Sequence, residues 1–239
     1  MIEDTLENIE STYSSIFQNK IRKKQPLERE ERGRVSIFVA AMLFRTKAFR
    51  SKIESYFQEI DEFIKKLESM SEEEKENLAS ISQLVEPERT ITSEEFRKIT
   101  KDIPTFHSSS IIAMLPEVSN IIFNMKWNFL TTEETDNFFL TSDNPCVLIN
   151  VPAIKKYGFG TFGSSPGLCQ EDVNLSLPLS SHILLFVNWK LQKEKYMIIA
   201  SKMIDQLNIR TMMFAKKIAV ACNDKKLKEV LNKLAELKK

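Results

Sequence analysis

Residues 138–149 read Phe-Phe-Leu-Thr-Ser-Asp-Asn-Pro-Cys-Val-Leu-Ile, an apolar run followed by a polar turn and a second apolar run. Two apolar runs with a proline at the break are typical of two strands joined by a turn. The sequence before this stretch has the spacing of amphipathic helices, and most strand-like sequence lies at or after it. We therefore predict an α+β fold, with an N-terminal helical bundle packed on a mostly antiparallel sheet and a C-terminal helix.

The helical part is predicted to span residues 1–128 and to surround a central helix at residues 35–45. That segment is apolar on every side, which predicts burial all round. The charged residues 27–34 before it are expected to form a solvated turn. The other helix predictions are residues 1–24 and 48–68, a helix capped by Ser93, and a helix that follows a cap at residues 107–110.

The β-rich part is predicted to span residues 129–239 and to form one integrated domain with the helical part. Its two hairpins are expected to pair residues 129–130 with 138–141 and residues 173–179 with 182–187. After them, the pattern predicts helices at 201–211 and 225–239 and a short buried strand at 218–221.

The composition argues against several classes of protein. The 239 residues include 34 basic and 33 acidic residues, a net charge of +1 that gives no indication of nucleic-acid binding. The apolar runs are far shorter than the roughly 20 residues that span a bilayer. Three widely spaced cysteines and two histidines offer no ligand spacing for a metal, so neither a metal site nor a cofactor is predicted. Reduced thiols in a cytoplasmic protein are the expected state of the cysteines.

Four of the five glycines lie between residues 158 and 167, and Gly158, Gly160 and Gly163 satisfy the dinucleotide pattern G-x-G-x-x-G. That fingerprint requires a strand before it and a helix that opens at its end. Neither flank has such a pattern, since Ser-Ser-Pro-Gly follows the third glycine. A flexible loop is therefore predicted instead of a nucleotide site.

The polar turn Ser142-Asp143-Asn144-Pro145 has two interpretations. In the first, Asp143 and Asn144 bond nearby backbone groups and form an Asx-type turn that links two core strands. In the second, the turn is a ligand or catalytic site, in which Asp143 accepts or transfers a proton and Asn144 orients a partner. The sequence leaves both interpretations open.

The same residues resemble a known family. Phe139–Pro145 is similar to the F-[IL]-T-S-D-N-P signature of the domain-of-unknown-function 4238 family of microbial proteins. Met42 and Lys47 depart from the family pattern, which often has glutamine and proline there. The chain also lacks the H-[YFV]-[IVL]-P-R segment with which members generally begin, which implies a truncated relative or a site completed by a partner. Three further blocks agree in order: Glu10 in place of an early I-E pair, residues 38–50 with the helix F-[IV]-A-x-Q-x-x-R-T-P-x-x-R, and residues 175–181 with the strand F-P-L-S-P.

The resemblance implies a fold and a site location rather than a reaction. An arginine at the end of a buried helix must reach water or a carboxylate, so Glu10 is the expected partner of Arg45. The catalytic candidates are Arg45, Asp143 and Asn144. The predicted binding residues are Glu10, Arg45, Ser142, Asp143 and Asn144.

Two classes of function follow from this site. The favoured one is a cytoplasmic ligand-binding or protein-interaction component, which fold-level association links to prokaryotic defence or toxin-like systems. The alternative is a hydrolase, nuclease-like in type, with its site around Asp143 and Arg45. A protein partner or a second copy of the chain is the expected partner, and residues 68–101 and the C-terminal helix are the candidate surfaces for it.

Overall fold

A computed structural model describes residues 2–75, 92–132, 137–157, 167–190 and 194–237. The longer helices are α1 (Ile2–Ile16), α2 (Arg29–Phe44), α3 (Lys47–Ser69), α4 (Ser93–Thr100), α5 (Ile103–Asn124), α6 (Val151–Tyr157), α7 (Ser201–Phe214) and α8 (Asp224–Leu237). The strands are β1 (Lys126–Thr131), β2 (Thr141–Ser142), β3 (Val147–Asn150), β4 (Val173–Pro178), β5 (Ile183–Asn188), β6 (Lys195–Ile198) and β7 (Ala219–Val220). The predicted α+β class is confirmed.

The main sheet has the strand order β3-β4-β5-β1-β6. Its neighbouring strands are antiparallel except β1 and β6, which run parallel. A separate two-stranded sheet pairs β2 with β7 in antiparallel register, with Thr141 opposite Val220 and Ser142 opposite Ala219. The hairpin of β4 and β5 is present as predicted, whereas β6 is a strand that the sequence pattern did not indicate.

Helices cover both faces of the main sheet. Successive side chains of a strand point to opposite sides, so each strand contributes residues to both faces. On the first face, Trp127 and Phe129 of β1 join a large apolar core with α1, α2 and α5. On the second face, Leu130 and Leu184 pack with residues of α7, including Leu207. The N-terminal helical bundle therefore lies on the first face, and α7 covers part of the second.

Helix α2 begins at Arg29, so the predicted solvated turn at residues 27–34 is wrong. The Glu31 side chain accepts the Glu28 backbone N–H at 2.8 Å and caps the first turn. Acidic side chains are favourable there, because the N-terminal end of a helix carries partial positive charge. The expected burial on every side is also wrong, since Ile37 is 36% exposed.

Arg32 connects the start of α2 to the end of α5. Its guanidinium donates to the backbone carbonyls of Phe123 and Met125 at 3.0 and 2.6 Å. It also lies 4.3 Å from the centre of a Trp127 ring and pairs with Glu194. A charged residue can therefore enter the packed interface, because it satisfies carbonyls at a helix C-terminus, where cations are favourable.

The predicted hairpin between residues 129–130 and 138–141 is wrong. β1 pairs with β5 and β6 instead, and the described residues 137–140 before β2 have no regular secondary structure. The Asn208 side chain of α7 donates to the Phe138 carbonyl at 2.7 Å and accepts the Leu140 N–H at 2.9 Å. These side-chain bonds satisfy backbone groups that a strand ladder would otherwise have to satisfy.

Two helix starts also differ from the predictions. The cap of α4 is Thr92 rather than Ser93, which is the first residue of the helix. Helix α5 begins behind Asp102, whose side chain accepts the Thr105 N–H, so the cap expected at residues 107–110 is wrong. That helix is continuous through its internal proline.

The strand expected at residues 218–221 is present as β7, but the prediction that it is buried is wrong. Val220 is 52% exposed, because β7 pairs with the short strand β2 outside the main sheet. The glycine-rich residues 158–166, for which a loop is predicted, lie outside the described residues. In the described ranges, every helix falls short of the length or the apolar character needed to cross a bilayer.

Candidate functional site

Arg45 lies at the junction of α2 and α3. Its backbone N–H donates to the Ala41 carbonyl at 2.9 Å at the end of α2. The Thr46 hydroxyl accepts the Phe49 N–H at 3.2 Å and caps α3. The Arg45 side chain leaves the core and forms an ion pair with Glu10 of α1. The structure therefore brings two of the predicted binding residues together.

A cleft of about 540 Å³ opens beside this junction. Three of its lining residues carry a basic side chain and one carries an acidic side chain, so the cleft has an excess of positive charge. The N-terminal end of α3 adds partial positive charge. The lining residues are Arg45, Thr46, Lys47, Arg50, Ser51, Glu54 and His107.

The two arginines of the cleft are each paired with one acidic side chain. Glu54 accepts from Arg50 Nε at 3.1 Å, one turn along α3, and Glu10 pairs with Arg45. A guanidinium has five N–H donors in a planar fork, so each pair leaves donors for another acceptor. Both side chains are partly exposed, and water or a ligand can reach them.

His107 contributes a buried imidazole to the cleft lining. Its Nε2 lies 2.9 Å from the Phe44 carbonyl oxygen at the end of α2. A carbonyl oxygen only accepts, so Nε2 must carry the proton. Sequence reasoning did not identify this residue as part of the cleft, because the contact joins residues 63 positions apart and no motif surrounds it.

The turn from Ser142 to Pro145 directs its side chains to the backbone of the segment that follows α7. The Asp143 Oδ1 atom accepts the Lys216 N–H at 2.9 Å, and Oδ2 accepts the Lys217 N–H at 2.8 Å. The Asn144 side chain donates to the Phe214 carbonyl at 3.1 Å. The turn therefore holds the end of α7 and the start of β7.

The remaining bonds of the turn are local or also involve backbone. The Ser142 hydroxyl accepts the Asn144 N–H at 3.1 Å, and the Asp143 N–H donates to the Ile218 carbonyl at 3.0 Å. Among the described residues, no hydrogen bond or ion pair joins Asp143 or Asn144 to Arg45. The predicted site is thus divided between two places, and the geometry at the turn favours the Asx-type interpretation.

The electrostatics of Asp143 agree with this interpretation. Desolvation raises the pKa of the Asp143 carboxyl, but backbone hydrogen bonds, those from Lys216 and Lys217 foremost, together outweigh it, and the pKa is lowered overall. A carboxylate with a lowered pKa is a weak base at neutral pH. Both of its oxygens are also engaged already, which makes Asp143 poorly suited to accept a proton from a substrate.

The other candidate chemistry involves cysteine and histidine side chains. Within the described ranges, no group of three or more His, Cys, Asp or Glu side chains could hold a metal ion. Cys146 is a buried free thiol, and Cys169 and Cys222 are exposed free thiols. The His182 Nδ1 atom lies 2.8 Å from the Thr132 hydroxyl, beside the start of β5.

Comparison with known proteins gives a family match. The family model described as "Protein of unknown function (DUF4238)" matches residues 1–225. That range contains both the cleft at the start of α3 and the turn from Ser142 to Pro145. No curated protein and no solved structure matches the chain.

Proposed function

The chain belongs to the DUF4238 family, and because that family is described as a protein of unknown function, we propose a function from the cleft: the protein binds a small anionic ligand at the start of α3. In this proposal, a phosphate or carboxylate group contacts Arg45, Lys47 and Arg50. The proposal gives a definite form to the predicted ligand-binding role. It also keeps Arg45 as the central residue of the site.

The observation that carries the proposal is the convergence of three cationic side chains on the N-terminal end of one helix. The positive end of a helix and its backbone N–H groups favour an anion. Arginine adds a planar fork of donors that matches carboxylate and phosphate oxygens. The volume of about 540 Å³ lies in the range of small-molecule sites.

The proposal also covers the place of action. Free thiols at exposed positions persist in a reducing compartment, and Cys169 and Cys222 are both exposed and free. This supports the cytoplasm as the location. We do not favour the hydrolase alternative, because the Asp143 carboxylate on which it depends is already bonded to two backbone N–H groups.

Titration calorimetry with inorganic pyrophosphate at low salt tests the proposal. We expect Arg45→Gln and Arg50→Gln each to raise the dissociation constant by about tenfold or more, because each loses charge-assisted hydrogen bonds. Arg34→Gln is the matched control, since Arg34 is an exposed arginine of α2 that pairs with Glu30 and does not line the cleft. Equal weakening by all three variants would indicate unspecific charge attraction and overturn the proposal, as would unchanged binding in both cleft variants.

A further inference from the structure

The contacts of the described residues use only one of the two nitrogens of the His107 imidazole. His107 is 8% exposed, and its Nε2–H donates to the Phe44 carbonyl at 2.9 Å. Phe44 is the last residue of α2, and the last carbonyls of a helix have no partner within it. This bond fixes the tautomer, because a neutral imidazole carries one proton and its second nitrogen is then an acceptor. The acceptor is Nδ1.

The Nδ1 atom of His107 opens into the cleft at the start of α3. No donor within the described ranges is bonded to Nδ1, whereas each fully buried side-chain nitrogen or oxygen of those ranges has a hydrogen-bond partner. Nδ1 therefore lies at accessible surface, and His107 contributes its surface to the lining of the cleft. The Phe49 ring packs beside the imidazole, with 6.0 Å between the ring centres. A ring that is more than nine-tenths buried thus presents a single acceptor to the cleft.

The cationic side chains of the cleft have the opposite hydrogen-bonding character. Arg45, Lys47 and Arg50 can only donate, and the first N–H groups of α3 also donate. Such groups hold an anionic oxygen, whereas the lone pair of Nδ1 repels one and requires an O–H or N–H partner. The acidic side chain of the cleft, Glu54, already accepts from Arg50 at 3.1 Å. A ligand that satisfies the whole lining must therefore carry both an anionic group and a donor.

We propose that His107 makes the cleft selective for anions that also carry a hydroxyl group, an inference that rests on the anion site of the proposed function. The phosphate or carboxylate contacts the three cationic side chains, and the hydroxyl donates to Nδ1. Hydroxylated phosphate esters and hydroxy acids both have this chemistry. A cleft of about 540 Å³ is in the size range of organic ligands, so the anionic group can bring a hydroxylated carbon skeleton with it. A ligand without the hydroxyl leaves Nδ1 unpaired, and such a loss discriminates between ligands.

Calorimetry with two matched pairs of ligands tests the selectivity in the parent protein. The pairs are glycerol 1-phosphate with propyl phosphate and malate with succinate, in mildly alkaline buffer of low salt, which keeps imidazoles neutral. The members of a pair have the same ionic groups and differ in hydroxyl groups, so the ratio of their affinities measures recognition of the hydroxyl. We expect the hydroxylated member of at least one pair to bind about three- to tenfold more tightly. The pair with the larger ratio distinguishes phosphate from carboxylate.

The outcomes separate this inference from the proposed function. Equal affinities within both pairs overturn the selectivity and leave the anion site in place. Binding of pyrophosphate without binding of any of the four ligands has the same meaning. Failure of all five compounds to bind overturns the anion site and the selectivity together.

Substitutions then identify the acceptor. His107→Phe keeps an aromatic ring and removes both nitrogens, so we expect the affinity ratio to fall to about one while the ligand without hydroxyl groups still binds. His182→Phe is the matched control and should keep the ratio, because His182 does not line the cleft. A ratio that persists in His107→Phe overturns the role of His107, as does an equal loss in both histidine variants. A ratio that is lost in Glu54→Gln and persists in His107→Phe would assign the acceptor to Glu54.

Nitrogen NMR with isotope-labelled histidine gives a readout that does not depend on the folding of His107→Phe. The chain has two histidines, so His182→Phe leaves the imidazole of His107 as the single labelled ring. We expect the hydroxylated ligand to shift the Nδ1 resonance more than its matched partner does, because only the hydroxylated ligand donates to Nδ1. The Nε2 resonance should change little, since the Phe44 carbonyl keeps its proton in place. An Nδ1 resonance that stays unchanged, or that both ligands shift equally, overturns the proposal.

Discussion

The substitution Asp143→Ala tests whether the turn from Ser142 to Pro145 is a structural element. It removes two charge-assisted hydrogen bonds, from the N–H groups of Lys216 and Lys217 at 2.9 and 2.8 Å. Such bonds contribute roughly 1.5–3 kcal/mol each when they are protected from water. Both N–H donors are near the surface, so in the variant water can accept from them and offset much of the lost hydrogen-bond free energy. We expect the free energy of unfolding to fall by about 2 kcal/mol and the midpoint to fall by about 4–8 °C.

The effect of Asp143→Ala should depend on pH in a defined direction. The pKa of Asp143 is lowered in the folded protein, and in the unfolded chain it returns to its ordinary value of about 3.9. The unfolded state therefore binds a proton first as the pH falls. The stabilisation is complete above the unfolded pKa and is lost as the pH falls through the lowered folded value. The difference between the two proteins should be constant from neutral pH to about pH 5 and shrink below about pH 4.

Urea unfolding followed by tryptophan fluorescence measures this difference, because Trp127 is buried in the main core. Asp172→Ala is the control: Asp172 pairs with the exposed Lys190 side chain, so its loss should hardly change the free energy of unfolding. The reasoning is refuted if Asp143→Ala unfolds like the parent. It is also refuted if that variant keeps its stability and loses ligand binding, since the carboxylate would then act on a ligand rather than on the backbone.

Two further predictions concern the core. Arg32→Ala leaves two helix-terminal carbonyls without their donor and exposes one face of an indole ring. We therefore expect the free energy of unfolding, measured in urea, to fall by about 3 kcal/mol. A decrease as small as that for an exposed arginine would contradict the role given to Arg32. Cys169 and Cys222 should react quickly with a disulfide reagent under native conditions, whereas Cys146 should react only after unfolding, because it is buried and burial raises the pKa of its thiol. Three equally fast thiols would show that the interior around Cys146 opens readily.

Elements with a strong local pattern could be predicted from the sequence. Helix α3 has an apolar stripe with helical spacing, and strands β4 and β5 alternate on either side of a polar turn. The class of fold and the family both follow from such patterns and short motifs. Periodicity shows which side of an element is apolar, and that is sufficient to assign layers.

Pairings between distant segments could not be predicted in the same way. Strand β1 was expected to pair with the next apolar run, yet it lies between β5 and β6. A strand pattern shows that a segment needs a neighbour without identifying the neighbour. Arg32 and His107 illustrate the same limit for single residues, because their bonds reach backbone carbonyls that are 91 and 63 positions away. No local pattern contains that information.

The candidate site shows why a prominent polar motif and a binding site are different things. Ser142, Asp143 and Asn144 direct their polar atoms to the chain's own backbone. These hydrogen-bonding groups therefore stabilise the fold and are not available to a ligand. Arg45 stands in a less conspicuous block, but its guanidinium is partly exposed and has more donors than Glu10 can use. The two places differ in the number of hydrogen-bond donors and acceptors that remain after the contacts of the fold are made. By that measure Arg45, rather than Asp143, is the residue available to a ligand.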